Sequence, residues 1–368
     1  MRSLRRLAFA ATAVSVALSS SAMAQSSAEQ LTFYGFLNQG FGVSGAVPIL
    51  GLNKDASTDY RVAAIQARFA ISPVDNFVVQ AVTRSLGTSP QGVAPGTVAL
   101  DWAFYHHRFD LASIRLGRIP APFGFLAETR EVGTLLPFYR APANYYLESF
   151  RSIDGVMATN ELSIAGGTLE TSIFGGGTNG SIVTWLPPNY PVPFVNTKIR
   201  FERLLGAQMV YTTPIEGVRL LGGLTTLRTL DTARVQLVPA TKIALLNAGI
   251  DARFDRVFAR GETRRIKSGS NTRQYSYYAQ AGVQPIKNLW VNAQGDFGED
   301  EAYIAAAKSY MGRVSSADRA LSVSYQFAPN LVGKVEQHWA KGGIDGFVAP
   351  NSPLPYAHYS IASFAVSF

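Results

Sequence analysis

The sequence predicts an all-β chain closed into one transmembrane antiparallel barrel of sixteen strands, from about Leu31 to Phe368. Three observations predict it. Apolar side chains recur with period 2 in segments of about ten residues, which places them on one face of a strand. Tight turns (Pro73–Asn76, Asp110–Ala112, Pro214–Gly217, Pro285–Asn288, Pro329-Asn330) interleave with longer loops, as expected of a membrane barrel with an even strand number. Beyond residue 24 no run of about 18 apolar residues occurs, so no helix is available to span a bilayer, and strands that do so must close on themselves.

The first 24 residues stand apart. Arg2, Arg5 and Arg6 precede a short apolar run, Leu7–Leu18, and the small-residue site Ala22-Met-Ala24. This is the pattern of a cleaved secretory signal peptide, and the apolar run is too short for a membrane anchor. Residues 25–368 then form one barrel domain. The chain has no cysteine, so an exported form relies on its core, its closed hydrogen bonding or oligomerisation. The formal net charge is +8, three units of it on the leader arginines, and no Lys/Arg block marks a nucleic-acid surface. A mild positive excess over short segments suits a solvated surface or an anion-attracting channel.

Each strand follows from its alternation. The first, Leu31–Val43, sets Leu31, Phe33, Leu37 and Phe41 against Thr32, Asn38 and Gly40. The second, about Val62–Ile71, sets Ala63, Ile65 and Phe69 against Gln66 and Arg68. The third, Phe77–Ser85, turns Gln80 and Arg84 away from Phe77 and Val79. The fourth, Val98–Phe109, carries Leu100, Trp102 and Phe104 on one face, and the fifth is Ser113–Arg118. After a long irregular stretch come about Gly155–Ile164 and Leu169–Gly175. The Gly175–Gly177 run reads as the start of a Gly/Pro/Asn-rich loop reaching Asn196. The rest are Lys198–Thr213, Val218–Leu230, Lys242–Phe254, Val257–Lys267, Arg273–Val283, Leu289–Gly298, Arg319–Ala328, Leu331–Lys341 and Tyr356–Phe368. A secreted β-sandwich or β-helix also alternates. Against it stand an unbroken series of strands, outward faces that stay apolar, and aromatics near strand ends: Phe33, Phe41, Trp102, Phe327, Trp339 and Phe368 suit girdles at the two membrane interfaces.

The last strand places Phe364, Val366 and Phe368 on one face and Ser363, Ala365 and Ser367 on the other. A chain ending so resembles the C-terminal assembly signal of bacterial outer-membrane barrels. With Phe33-Tyr-Gly-Phe36, Gly117-Arg-Ile-Pro-Ala-Pro-Phe-Gly124 and Ser152-Ile-Asp-Gly155, the chain resembles a sixteen-stranded Gram-negative porin over its whole mature length. The resemblance implies an outer-membrane location, insertion by the barrel assembly machinery into lipid, a homotrimer, and a third loop that folds inward to narrow the pore. It also implies that Glu128, Arg130, Glu131, Arg140 and Glu148 lie at the constriction.

The residues themselves support an inward loop between Ile119 and Asp154. So long a connection without secondary structure is uncommon unless functional or disordered. It carries Phe123, Phe125, Phe138, Tyr139, Tyr145 and Tyr146, which need something to pack against; an external flap or a contact between trimer subunits is the alternative. By parity the lumenal wall takes Arg68, Arg84, Arg115, Arg200, Glu202, Gln208, Arg260, Glu262, Arg264, Asp296, Lys334, Glu336 and His338. Each charge on the lipid face near the midplane would cost about 2–4 kcal/mol. Singly, such an arginine reads equally as a rim or loop-supporting salt bridge. Together, arginines on the second, third and fifth strands facing loop acids would set a transverse field at the narrow point.

No catalytic constellation stands out. His106 and His107 point to opposite faces, zinc and calcium ligand spacings are absent, and no Gly-x-Ser-x-Gly elbow occurs. No cofactor, metal or enzymatic role is expected. The expected function is passive diffusion of small hydrophilic solutes and ions with a weak anion preference; the alternative is a substrate-specific channel for anions or acidic compounds.

Overall fold

Sixteen strands hydrogen-bond edge to edge in one closed ring. They are β1 (Leu31–Ser44), β2 (Ser57–Ala70), β3 (Asp75–Leu86), β4 (Val98–Arg108), β5 (Ala112–Pro120), β6 (Ser152–Ile164), β7 (Gly167–Trp185), β8 (Phe194–Thr212), β9 (Val218–Asp231), β10 (Thr241–Phe254), β11 (Val257–Ser268), β12 (Thr272–Ile286), β13 (Leu289–Ile304), β14 (Ser309–Ala328), β15 (Leu331–Lys341) and β17 (Tyr356–Ser367). The two-residue β16 (Phe347–Val348) stands outside the ring order and pairs in parallel with β7. The computed structural model describes residues 30–45, 49–87, 97–146, 150–185, 194–231, 241–269, 272–304, 309–342, 347–348 and 356–368. The leader sequence and Glu148 lie outside the described residues.

All neighbours in the ring run antiparallel, and β1 closes it by pairing with β2 on one side and β17 on the other. At the seam the Gly35 N–H donates to the Phe368 carbonyl and the Phe368 N–H to the Gly35 carbonyl, both at 3.0 Å. The Phe368 ring lies over Gly35, where an added Cβ would come within 2.4 Å of it. Closure pairs every strand and leaves no open edge, which lipid would not tolerate.

Alternation then sorts side chains. On β15, Lys334, Glu336 and His338 are buried inward while Val335 and Trp339 are exposed; on β17, Phe364 and Phe368 are exposed outward. Phe33, Phe41 and Phe327 are likewise exposed.

Three sequence expectations fail, each for a backbone reason. On β4 the pairing shifts between Gln80 and Ala81, whose partners are Trp102 and Leu100. Asp101 is the extra, bulged residue. Leu100 faces out, but Trp102 and Phe104 pack inward against the buried cluster, so Trp102 is not a girdle residue. On β8 a second irregularity between Glu202 and Leu205, with Arg203 at φ 50°, reverses parity along the strand. Ile199 and Phe201 point inward before it, and Gln208 after it. Arg200 is therefore exposed on the outer face rather than in the lumen, and Glu202 shares that face. A bulge shifts parity by one residue, which no alternation count detects. Finally, Gly175–Gly177 belongs to β7, which continues to Trp185. Gly155 sits so close to the Gly175 carbonyl oxygen that a Cβ would lie 1.9 Å from it. These glycines serve close backbone approach, not a turn.

Candidate constriction site

Between β5 and β6 the chain leaves the wall, and among the described residues 121–146 and 150–151 it forms one short 3-10 turn, Gly133–Leu135. Its polar backbone must find partners, and wall side chains supply them. Gln208 Oε1 accepts from the Gly124 N–H at 3.0 Å, and Glu262 Oε2 from the Phe125 N–H at 3.0 Å. Ser322 donates to the Pro137 carbonyl at 2.8 Å, and Lys334 Nζ to the Phe138 carbonyl at 2.9 Å. The Tyr139 N–H donates to Glu336 Oε1 at 2.6 Å, its carbonyl accepts from Asn38 Nδ2 at 3.0 Å, and the Asn144 N–H donates to Asp296 Oδ2 at 2.9 Å. These partners occupy inward positions on β1, β8, β11, β13, β14 and β15. A segment that reaches inward side chains so far apart around the ring runs across its interior.

One end of this crossing is ionic. Arg84 Nε donates to Glu131 Oε1 and Arg84 Nη2 to Glu131 Oε2, each at 2.6 Å, and Nη2 also reaches Asp101 Oδ1 at 3.0 Å. Arg151 makes a further ion pair with Glu131. Arg115 Nη1 donates to Glu128 Oε1 at 2.6 Å while its guanidinium lies over the Phe104 ring. Arg130 donates to the carbonyls of Tyr146 and Phe150, at 2.8 and 3.4 Å. Burial alone would raise the Glu131 carboxyl, but Arg151 and Arg84 more than offset it and hold it well below the usual carboxylate range. Burial pulls Arg130 down to about 10, which leaves it protonated at neutral pH.

The other end is aromatic and braced by the far wall. Glu262 accepts from the hydroxyls of Tyr146 and Tyr278, Arg264 donates to the Asn144 carbonyl at 3.2 Å and lies over the Tyr145 ring, and Arg140 donates to the Tyr60 hydroxyl at 2.9 Å. Glu336 Oε2 lies 3.1 Å from His338 Nε2, and Asp318 Oδ2 2.9 Å from His338 Nδ1. Arg260 and Arg219 share Asp251, at 2.8 and 2.5 Å.

The sequence places loop acids opposite Arg68, Arg84 or Arg115. The geometry joins Glu131 to Arg84 and Glu128 to Arg115 by contact, not across a gap, while Arg68 is exposed toward the tight-turn end of β2 and makes no ion pair among the described residues. Sequence reasoning missed Asp101, hidden by its bulge. It also missed Arg151 as a site residue, although Arg151 stands directly before the Ser152 re-entry motif. Beside this ionic end an opening of about 270 Å³ remains between the inner faces of β1–β4 and the 3-10 turn.

No protein-family model and no curated protein sequence matches the chain. Solved structures do match it in fold. The outer membrane channel DcaP of Acinetobacter baumannii aligns with a TM-score of 0.59 at 10% identity, covering 92% of this chain and 97% of its own. The anion-selective porin of Comamonas acidovorans aligns at 0.59 and 11%, covering 92% and 99%. The trimer form of OmpT, an outer membrane protein of Vibrio cholerae, aligns at 0.55 and 11%, covering 92% and 99%. At such identities the likeness is one of fold: this chain has the fold of bacterial outer-membrane porins.

Proposed function

We propose that the chain is an outer-membrane porin, a water-filled conduit for passive diffusion of small hydrophilic solutes and ions, inserted by the barrel assembly machinery and working as a homotrimer. The carrying observation is the crossing segment, tied to inward side chains around the ring, with an opening beside a cluster of fixed charge. Formal charge there is uneven. At the ionic end Arg84, Arg115, Arg130 and Arg151 stand against Asp101, Glu128 and Glu131. The excess supports a weak preference for anions, because charge lining a narrow, low-dielectric passage acts on permeant ions most strongly. The anion-selective porin of the same fold is consistent with this reading.

The test is reconstitution into a planar lipid bilayer under a KCl gradient. Stepwise ohmic currents with a reversal potential on the anion side are expected. A correctly folded protein that passes no ion current overturns the channel reading. Currents that saturate with one anion at submolar concentration favour a substrate-specific channel for acidic compounds instead.

A further inference from the structure

The opening beside the 3-10 turn is lined unlike the rest of the lumen. Four inward residues on four adjacent strands lie directly opposite one another in a single rung: Tyr34 pairs with Gln66, Gln66 with Gln80, and Gln80 with Trp102. With strands about 4.8 Å apart, this rung runs about 14 Å along the wall. It has an aromatic ring at each end and two amides between. Across the opening, the turn presents Leu135, whose side chain is 58% exposed. Leu135 is thus a large apolar side chain left exposed at an opening that aromatic rings also line.

The polar groups are equally particular. Gln80 Nε2 is committed to Asp101 Oδ2 at 3.0 Å, which fixes its amide plane, whereas Gln66 makes no side-chain hydrogen bond among the described residues. The one charged group at the rim is the Glu128 carboxylate, half exposed, with its Oε1 taken by Arg115. Its charge is compensated by Arg115, and its second oxygen is left to accept from hydroxyl donors. Amides donate and accept at once, which matches adjacent hydroxyls. Aromatic rings offer flat apolar faces with little conformational entropy to lose.

We infer that the Tyr34–Gln66–Gln80–Trp102 rung is a binding site for a neutral, ring-shaped, polyhydroxylated solute, a mono- or disaccharide, which stacks on Trp102 or Tyr34 and hydrogen-bonds to Gln66 and Glu128. The bulge at Asp101 makes the site: it brings Trp102 into register with Gln80 on the inner face. This inference rests on the channel reading and supplies a solute class for it.

The experiment adds sucrose to the reconstituted channel in 1 M KCl and follows the ion current. A saturable block at millimolar sucrose is expected, with glycerol at equal concentration giving none. Trp102→Ala should raise the half-blocking concentration about tenfold, the loss of one well-placed aromatic face. Trp102→Phe, which keeps a ring, should raise it less, while abolishing any sucrose-dependent fluorescence change from Trp102. Gln66→Ala, at a residue that braces nothing, should also weaken block and serves if Trp102→Ala fails to fold. Current that falls only in proportion to viscosity, alike in parent and Trp102→Ala, overturns the site and leaves the channel standing. Saturable block by benzoate at lower concentration than sucrose overturns the solute class. No KCl current at all overturns the channel reading; saturable sucrose-dependent fluorescence, lost in Trp102→Phe, would then still uphold the site.

Discussion

Arg84 holds Glu131 as a fork, with both carboxylate oxygens engaged at 2.6 Å across 47 residues of chain. Their side chains are only 6% and 13% exposed. The fork fixes the ionic end of the crossing segment to β3. Paired planar groups of this kind impose direction as well as attraction.

Breaking the fork should therefore cost stability. Arg84→Ala is expected to lower folding stability by about 3 kcal/mol, the low end for opening a buried pair because Arg151 still engages Glu131. Urea titration of the folded barrel in lipid vesicles measures it.

The same pair sets an acid limit. Arg151 and Arg84 hold the Glu131 value below the ordinary carboxylate figure of about 4.3. A depressed folded value means that its stabilising contribution is complete above the ordinary value and is lost as pH falls through the folded one. Any conductance step that comes from loss of the Glu131 fork should thus lie in acid stronger than about pH 4, not between pH 7 and 4. Glu131→Gln should abolish that acid step.

At the far wall, Lys334 and Glu336 hold consecutive residues of the segment, through the Phe138 carbonyl and the Tyr139 N–H. A Lys334→Met/Glu336→Gln variant should show larger and noisier open-channel currents than the parent, read from the same bilayer recordings. Equal conductance would mean that the other anchors suffice.

Arg68 and Arg115 separate paired from unpaired charge. Arg115 is compensated by Glu128 at 2.6 Å, while Arg68 has no acid partner among the described residues. Arg68→Gln should shift the reversal potential toward cations more than Arg115→Gln does at about 0.1 M salt. The difference should shrink in about 1 M salt, where the screening length falls to about 3 Å.

The seam gives a further expectation. Gly35→Val would push a side chain into the Phe368 ring, which a Cβ alone would meet at 2.4 Å. The yield of heat-modifiable, folded barrel should drop. Gly222, around which a Cβ would meet open space, supplies the control as Gly222→Val.

Much of this architecture was legible because alternation is a local signal. Strand number, the outward set Phe364, Val366 and Phe368, and the tight turns follow from period-2 patterning and turn residues. What escaped depends on pairing between strands. The bulge at Asp101 and the irregularity after Glu202 change parity mid-strand, so Trp102 and Arg200 were assigned to the wrong faces. The glycines at 175–177 looked like punctuation because close approach to Gly155 is a property of two strands together. For the crossing segment, the acids and arginines were readable as residue types. Which acid meets which arginine was not, since Glu131 finds Arg84 and Arg151 only once the loop is docked.

The anchors of the crossing segment also carry a consequence in time. Tyr139 is held by Asn38, 101 residues away, and by Glu336, 197 residues away in the other direction. Contacts so distant along the chain form slowly, since ordering the intervening polymer must precede any gain. Strands from both halves have to be in the wall before Tyr139 can be gripped from both sides. Docking of the crossing segment is thus expected late in folding, after the strands that carry Asn38 and Glu336 have joined the wall.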